Sequence, residues 1–204
     1  LMETVMNLEN GWYILQDVHD TGEEQGLYTD RESFTEMGPQ ISEWEKLSEL
    51  KHLQLLLAEQ PYFGRELRYF NQAPWWYRYE FDLPNGKEQR IRLRFTNVDY
   101  YCKIWINGQP AGEHEGYSAP FSFDITDLVK PGEKNLLTVK VSSPWDREVE
   151  KGKEDSRTIL VKRRMVKGTY EHSDTFIQRD VNPVGIYGRV EIIITEQESM
   201  EQED

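Results

Sequence analysis

Polar and apolar residues alternate strictly through Arg90, Ile91, Arg92, Leu93, Arg94 and Phe95. A period of two places Ile91, Leu93 and Phe95 on the buried face of a strand and the arginines on a wet one. Further runs rich in β-branched and aromatic residues read as strands: Trp12 to Leu15, Trp75 to Leu83, Tyr100 to Ile106, Phe121 to Ile125, Asn135 to Val141 and Gly188 to Thr195. In the last of these Val190, Ile192 and Ile194 alternate. Turn chemistry bounds the runs. Pro84, Asn85 and Gly86 close one, Asn97 to Asp99 separate two others, Asn107-Gly108 suits a tight hairpin, and Pro131-Gly132 suits a type II turn. Short strands joined by turns, and not by regular helices, predict an all-β fold, a two-sheet β-sandwich, with the jelly roll as its favoured form.

The segment from Asp17 to Gln40 is polar and carries Gly22, Gly26, Gly38 and Pro39, so it is expected to be mostly loop. Leu47, Leu50, Leu53 and Leu57 recur at spacings of three and four, which predicts a short amphipathic helix near 43–58 stopped by Pro61. An irregular strand through Leu53 to Leu57 is the competing reading. Asp124 and Thr126 can bond nearby backbone amides, which predicts a helical turn over Asp127 to Val129. More than forty residues, densely charged, separate Val141 from Gly185, a connection long enough to suggest a functional segment or a contact with another domain. One domain over 1–195 is expected, followed by an acidic tail, 196–204, as linker or disordered segment.

The formal net charge of −13 argues against nucleic-acid and anionic-membrane partners, which require a basic patch, and favours a neutral ligand. The clustered cations Lys162, Arg163 and Arg164 lie among carboxylates and read as solvated. Cys102, the single cysteine, sits in an apolar run and is expected to be a buried structural thiol. No run approaches the roughly 20 apolar residues of a membrane span, and residues 1–10 lack the pattern of a signal peptide. A soluble chain is expected. It begins with Leu, which leaves export and localisation open.

No zinc spacing joins His19, His52, His114 and His172, and there is no phosphate-binding loop or nucleophile elbow, so no metal or cofactor is expected. Glu113 and Glu115 lie two apart on a strand and should share a solvated edge. Trp12, Trp76, Phe95, Trp105, Phe121 and Phe123 read as packing residues, whereas Trp75, Tyr117 and Trp145 are candidate exposed platforms for a sugar ring.

Several of these motifs, in this order, resemble family 2 glycoside hydrolases, the β-galactosidase, β-glucuronidase and β-mannosidase group. Asn10, Gly11 and Trp12 resemble that family's opening strand, and Trp76 to Pro84, reading WYRYEFDLP, its next aromatic strand. The stretch RLRFTNVDYYCKIWINGQPAG from Arg92 to Gly112 and the segment with His114, Gly116, Tyr117, Pro120 and Phe121 follow. Asp124 to Gly132 with Asn135 resembles the family's most recognisable signature, and Gly185-Ile186 its closing strand.

The resemblance implies a galactose-binding-like jelly roll that is not itself catalytic. Retaining glycosidases need two carboxyl groups about 5–5.5 Å apart, and in this family a downstream (β/α)8 barrel supplies them, beyond an immunoglobulin-like domain. Both domains and a carbohydrate substrate are the partners it implies. It also implies that an acidic residue shortly before the Gly-Ile pair reaches a substrate hydroxyl in the barrel. Asp180 is the match, with Asn182 as the alternative and Asn71 approaching the same pocket from the loop before Trp75. An autonomous carbohydrate-binding module and a structural or dimerisation domain are the competing functions.

Overall fold

The computed structural model describes residues 1–29, 44–58, 69–143 and 183–197. Its elements, in chain order, are β1 (Met2–Asn7), β2 (Tyr13–Gln16), α1 (Gly22–Gln25), β3 (Glu45–Lys46), α2 (Leu53–Leu57), β4 (Trp75–Asp82), β5 (Gln89–Phe95) and β6 (Val98–Ile106). β7 (Gln109–Gly116), β8 (Phe121–Asp124), β9 (Lys134–Ser142), β10 (Gly185–Ile186) and β11 (Val190–Glu196) complete them. They form two antiparallel sheets. The smaller is ordered β1-β11-β5-β8; the larger is ordered β10-β6-β9-β4-β2-β3, with β7 also paired to β6. None of the described helices is long and apolar enough to cross a membrane.

The alternation seen in the sequence becomes the interior of the sandwich. Ile14 pairs with Tyr77, Tyr77 with Val139 and Val139 with Ile104, so one fully buried row crosses the larger sheet. Opposite it lie Ile91, Leu93 and Phe95 with Ile192 and Ile194. Burying each such side chain contributes about 1.5–3 kcal/mol. Cys102 faces the same core, and burial pushes its thiol up to about 12, a structural group and not a nucleophile. Arg90, Arg92 and Arg94 point outward; Arg94 Nη1 meets Glu191 Oε1 at 2.9 Å.

The outer face of the larger sheet has a second, smaller core. Trp76 stacks on Trp105 with ring centroids 5.1 Å apart, and Tyr28 stacks on Trp105 from the other side. The segment from Asp17 to Thr29, expected to be loop, carries α1 and is fastened across this face. Asp17 accepts hydrogen bonds from the Trp76 indole at 3.0 Å and the Gly22 amide at 2.8 Å, and Glu23 receives Lys103 at 2.8 Å and Lys140 at 2.9 Å.

One end of the sandwich is closed by turns, and the interactions there are short and buried. Asn107 and Gly108 have φ of 51° and 81°, the left-handed pair that a tight hairpin requires, and Gly132 has φ of 75° after Pro131. Asn135, buried, locks the two turns together. Its Oδ1 accepts from the Lys130 amide at 2.7 Å and from Asn107 Nδ2 at 2.8 Å, while its Nδ2 donates to the Lys130 and Glu133 carbonyls, each at 3.0 Å. Asn107 also donates to the Leu128 carbonyl and accepts from the Leu136 amide, both at 2.9 Å. The expected helical turn lies beside it: the Leu128 and Val129 amides both donate to the Ile125 carbonyl, and Asp124 caps the Thr126 amide.

Two expectations change. The helix expected near 43–58 is confined to Leu53–Leu57, because the chain before it is extended: β3 pairs with β2, and the Leu47 amide donates to the Trp12 carbonyl at 2.9 Å. Leu47 and Leu53 are both buried, but the first reaches the core from an extended chain. Two strands, β1 and β3, also lie outside everything read as strand, and β7 and β10, each touched on as a strand, lie outside the main runs. β1 is an exposed edge without alternation, β3 and β10 are two residues each, and β7 was legible only as the edge carrying Glu113 and Glu115.

Replacing Asn135 with Ala strands the Lys130 amide and half of Asn107, so urea unfolding should show a loss of about 2–4 kcal/mol; Asn97→Ala, at an exposed bond, should lose far less. Hydrogen bonds from Lys103 and Lys140 hold the Glu23 carboxyl below its ordinary value of 4.5. Its folded value lies below its unfolded one, so the stability from this contact is complete above that pH and fades as pH falls through the depressed value. The gap in urea midpoint between the parent chain and Glu23→Gln should therefore be constant near neutrality and close in acid.

Candidate functional site

At the opposite end from the turns, the long connections meet the sandwich. β4 starts here, preceded by a 3-10 turn over 69–71; β9 ends here, at Ser142; and β10 re-enters here. The aromatic composition of this loop fixes its shape. The Trp75 indole donates to the Phe70 carbonyl at 2.9 Å, the two rings stack at 5.7 Å, and Gln16 Nε2 donates to the Tyr69 carbonyl at 2.9 Å.

Buried amides tie both margins of the 144–182 segment to one point. Asn71 donates from Nδ2 to the Ser143 carbonyl, and its Oδ1 lies 3.5 Å from Gln54 Nε2. Gln54, fully buried in α2, accepts from the Val184 amide at 3.1 Å, while the Leu53 amide donates to the Val184 carbonyl at 2.9 Å. Next along, Gly185 has φ of 132°, and a β-carbon there would sit 2.7 Å from the Tyr77 hydroxyl. Only glycine fits that approach. It lets the Ile186 amide donate to the Tyr77 hydroxyl at 3.2 Å, at the centre of the core, where burial raises the phenol's pKa well above its ordinary value.

A second buried polar group borders this point. His52 Nε2 lies 3.3 Å from Asp99 Oδ2, both side chains nearly inaccessible, and the Tyr187 ring stacks on His52 at 4.1 Å. The Tyr187 hydroxyl donates to the Tyr117 carbonyl; burial first, then the neighbouring Asp99 charge, pushes that phenol up to about 12. These contacts bind α2, β6 and the β10–β11 corner into one rigid end.

Beside this end a groove of about 540 Å³ opens between β2, the C-terminus of α2 and the 69–71 turn. Val18, Leu57 and Trp75 line it with the polar Gln16, Glu45 and Tyr69. Tyr69 is 49% exposed. A second depression, on the outer face of β6, β7 and β9, is polar and filled with ion pairs among Glu23, Lys103, Glu113 and Lys140.

The structure places the sequence candidates unequally. Asn71 and Trp75 come together at the long-connection end, yet both are buried. Trp75 is 5% exposed, because Phe70 covers its face and its indole is spent on the chain, so it offers the groove an edge and not the exposed platform expected of it. Tyr117 is half-buried near Tyr187. Asp180, Asn182 and Trp145, like the cationic run at Lys162, lie outside the described residues. Gln54, Gln16, Tyr69 and the His52–Asp99 pair were not singled out from the sequence. Tyr69 had a signal, the aromatic density of RYFNQAPWW; Gln54, one polar residue within an apolar run, had none that separated it from a solvated face.

Two antiparallel sheets with tight turns at one end and fastened long connections at the other define a galactose-binding-like β-sandwich. A family model described as glycosyl hydrolase 2 galactose-binding domain-like matches residues 47–179, and the chain belongs to that family. Among curated proteins it is 36% identical over 76 residues to a beta-galactosidase of Thermoanaerobacter pseudethanolicus, a match covering 36% of this chain and 10% of that protein. It is 43% identical over 60 residues to a beta-glucuronidase of Bacteroides fragilis, covering 29% of this chain and 9% of that protein. The fold is shared with the beta-glucuronidase of Ruminococcus gnavus, with a TM-score of 0.62 at 16% identity, over 96% of this chain and 29% of that one. The chain thus spans about a tenth of the length of the curated relatives it matches.

Gln54→Ala removes the group that receives the Val184 amide and faces Asn71. Leaving those buried groups unsatisfied should cost about 2–3 kcal/mol in urea unfolding, and hydrogen exchange at Val184 should accelerate more than at Val139 in the core.

Proposed function

We propose that this domain is a non-catalytic part of a family 2 glycoside hydrolase, packing on a catalytic barrel and contributing to its substrate entrance. The fastening of Ser143 and Val184 at one end by Asn71 and Gln54 carries this reading. A segment held at both margins by buried amides presents its interior from a fixed base, which is what positioning a residue in a neighbouring domain's cleft demands. The relatives, being much longer enzymes, support the presence of further domains in the parent, of which the immunoglobulin-like and (β/α)8 domains are the ones we assign.

The two described carboxyl groups whose pKa is displaced, Glu23 and Asp124, are not held as a general acid would be. A glycosidase's general acid must be held protonated, with its pKa raised. Glu23 and Asp124 are displaced the other way, each by hydrogen bonds, Glu23 from Lys103 and Lys140 and Asp124 first from Thr126. Within the 144–182 segment, Asp180 is the residue we assign to a substrate hydroxyl, with Asn182 beside it. A charge-assisted hydrogen bond in a dehydrated cleft contributes about 1.5–3 kcal/mol.

In the intact parent enzyme, Asp180→Ala should lower kcat/KM for an aryl glycoside by about 10- to 150-fold with Tm nearly unchanged, and the isolated chain should hydrolyse none above background. Unaltered kinetics in that variant, or turnover by the isolated chain that a carboxylate substitution within it abolishes, would defeat the proposal. A module gripping polymer by itself would instead leave turnover of the small aryl glycoside untouched and lower only that of the polymer.

A further inference from the structure

We infer that the groove between β2 and the 69–71 turn is a binding site for a neutral pyranoside, separate from any contact made by Asp180. Its volume of about 540 Å³ lies in the range of small-molecule sites, about 300–1,000 Å³, and its lining has their composition, apolar walls with a few polar groups. Tyr69 stands half-exposed at the rim. Phe70 and Trp75 meet its ring nearly at right angles, at 81° and 85°, and among the described residues no ring lies parallel to it, so the phenol keeps a surface for the C–H face of a sugar. Its backbone is held by Gln16 Nε2, which makes the platform rigid. Pre-ordered aromatic rings lose little conformational freedom on binding.

Polar groups converge on the same space. Half-buried Gln16 lines the groove, and its Oε1 accepts no hydrogen bond from the described residues. Glu45, on β3, also lines the groove, exposed, and pairs with no cation among the described residues. A carboxylate and an amide beside an aromatic ring recognise vicinal hydroxyls. Charge then selects among sugars. Among the described residues lining the groove there is no Lys, Arg or His, and Glu45 is the charged group, so a uronate's own carboxylate is repelled where a neutral pyranoside is not. The unpartnered Oε1 of Gln16, the exposure of Tyr69 and the sign of the charge at Glu45 are three separate observations, each made on residues outside the 144–182 segment.

The test titrates methyl β-D-galactopyranoside and, separately, methyl β-D-glucuronide into the full 204-residue chain, following the Trp75 indole N–H resonance by NMR. The galactoside should shift that resonance saturably in the millimolar range, with a clearly weaker response to the glucuronide. Tyr69→Ala should weaken galactoside binding by at least about tenfold, Tyr69→Phe should retain it, and Glu45→Gln should narrow the gap between the two sugars. The Phe variant guards against a loss caused by misfolding. No shift with the galactoside, equal binding of both sugars by the unaltered chain, or binding that survives Tyr69→Ala would each overturn the inference. The Asp180→Ala experiment on the parent is unaffected by any of these results, so the two readings fail separately.

Discussion

The contact between Asn107 and Asn135 sets the frame on which everything else is hung. Each side chain closes its own turn and receives or gives a bond to the other, so β6 and β9 are locked in a single register at the point where both strands meet their turns. A slip of one residue would send Cys102, Ile104 and Ile106 to the outer face and bring Lys103 into the core. With that register fixed, Tyr77 on the next strand faces inward at the height where Gly185 can approach it, and the end carrying α2 follows. The asparagines are chosen because each needs simultaneous donor and acceptor capacity in a buried space; Asp offers no donor and Leu neither.

The sandwich uses both faces of its larger sheet, and it does so by different means. Inside, shape-matched apolar rows suffice. Outside, the Trp76 and Trp105 rings are covered by a strap from Asp17 to Thr29, whose own polarity is answered by the sheet: Asp17 meets an indole, and Glu23 meets two lysines. This is why a segment with no hydrophobic periodicity is nonetheless ordered. The information that places it lies in residues far away in sequence, and no local window contains it.

That distinction separates what could be read from the sequence. β4, β5, β6, β8, β9 and β11 were legible because each buries one face and therefore alternates or runs apolar, and the turns because Asn-Gly and Pro-Gly have local backbone demands. The reading failed where geometry was set by a partner. Leu47, Leu50, Leu53 and Leu57 have helical spacing, but only the last turn of that stretch is helix, since a strand pairing to β2 and a bond to the Trp12 carbonyl claim the first part. β1 pairs as an edge through its backbone and leaves its side chains in water, so it carries no pattern. For the candidate site, Asn71 and Trp75 lie together at the end where the 144–182 connection meets the sandwich, but the sequence could not tell that their polar atoms are engaged in holding that end together.

The joining of Ser143 to Val184 through Asn71 and Gln54 has a consequence for how such domains diversify. Because Asn71 and Gln54 stitch Ser143 and Val184 to the sandwich, the chain leaves and re-enters it at fixed points. Doubling the length of a flexible loop adds only about 0.6 kcal/mol of closure entropy, a fraction of what the core supplies. A change of length between those two points therefore carries a small closure cost. The two amides thus mark the seams at which a longer or shorter connection would join an unaltered sandwich.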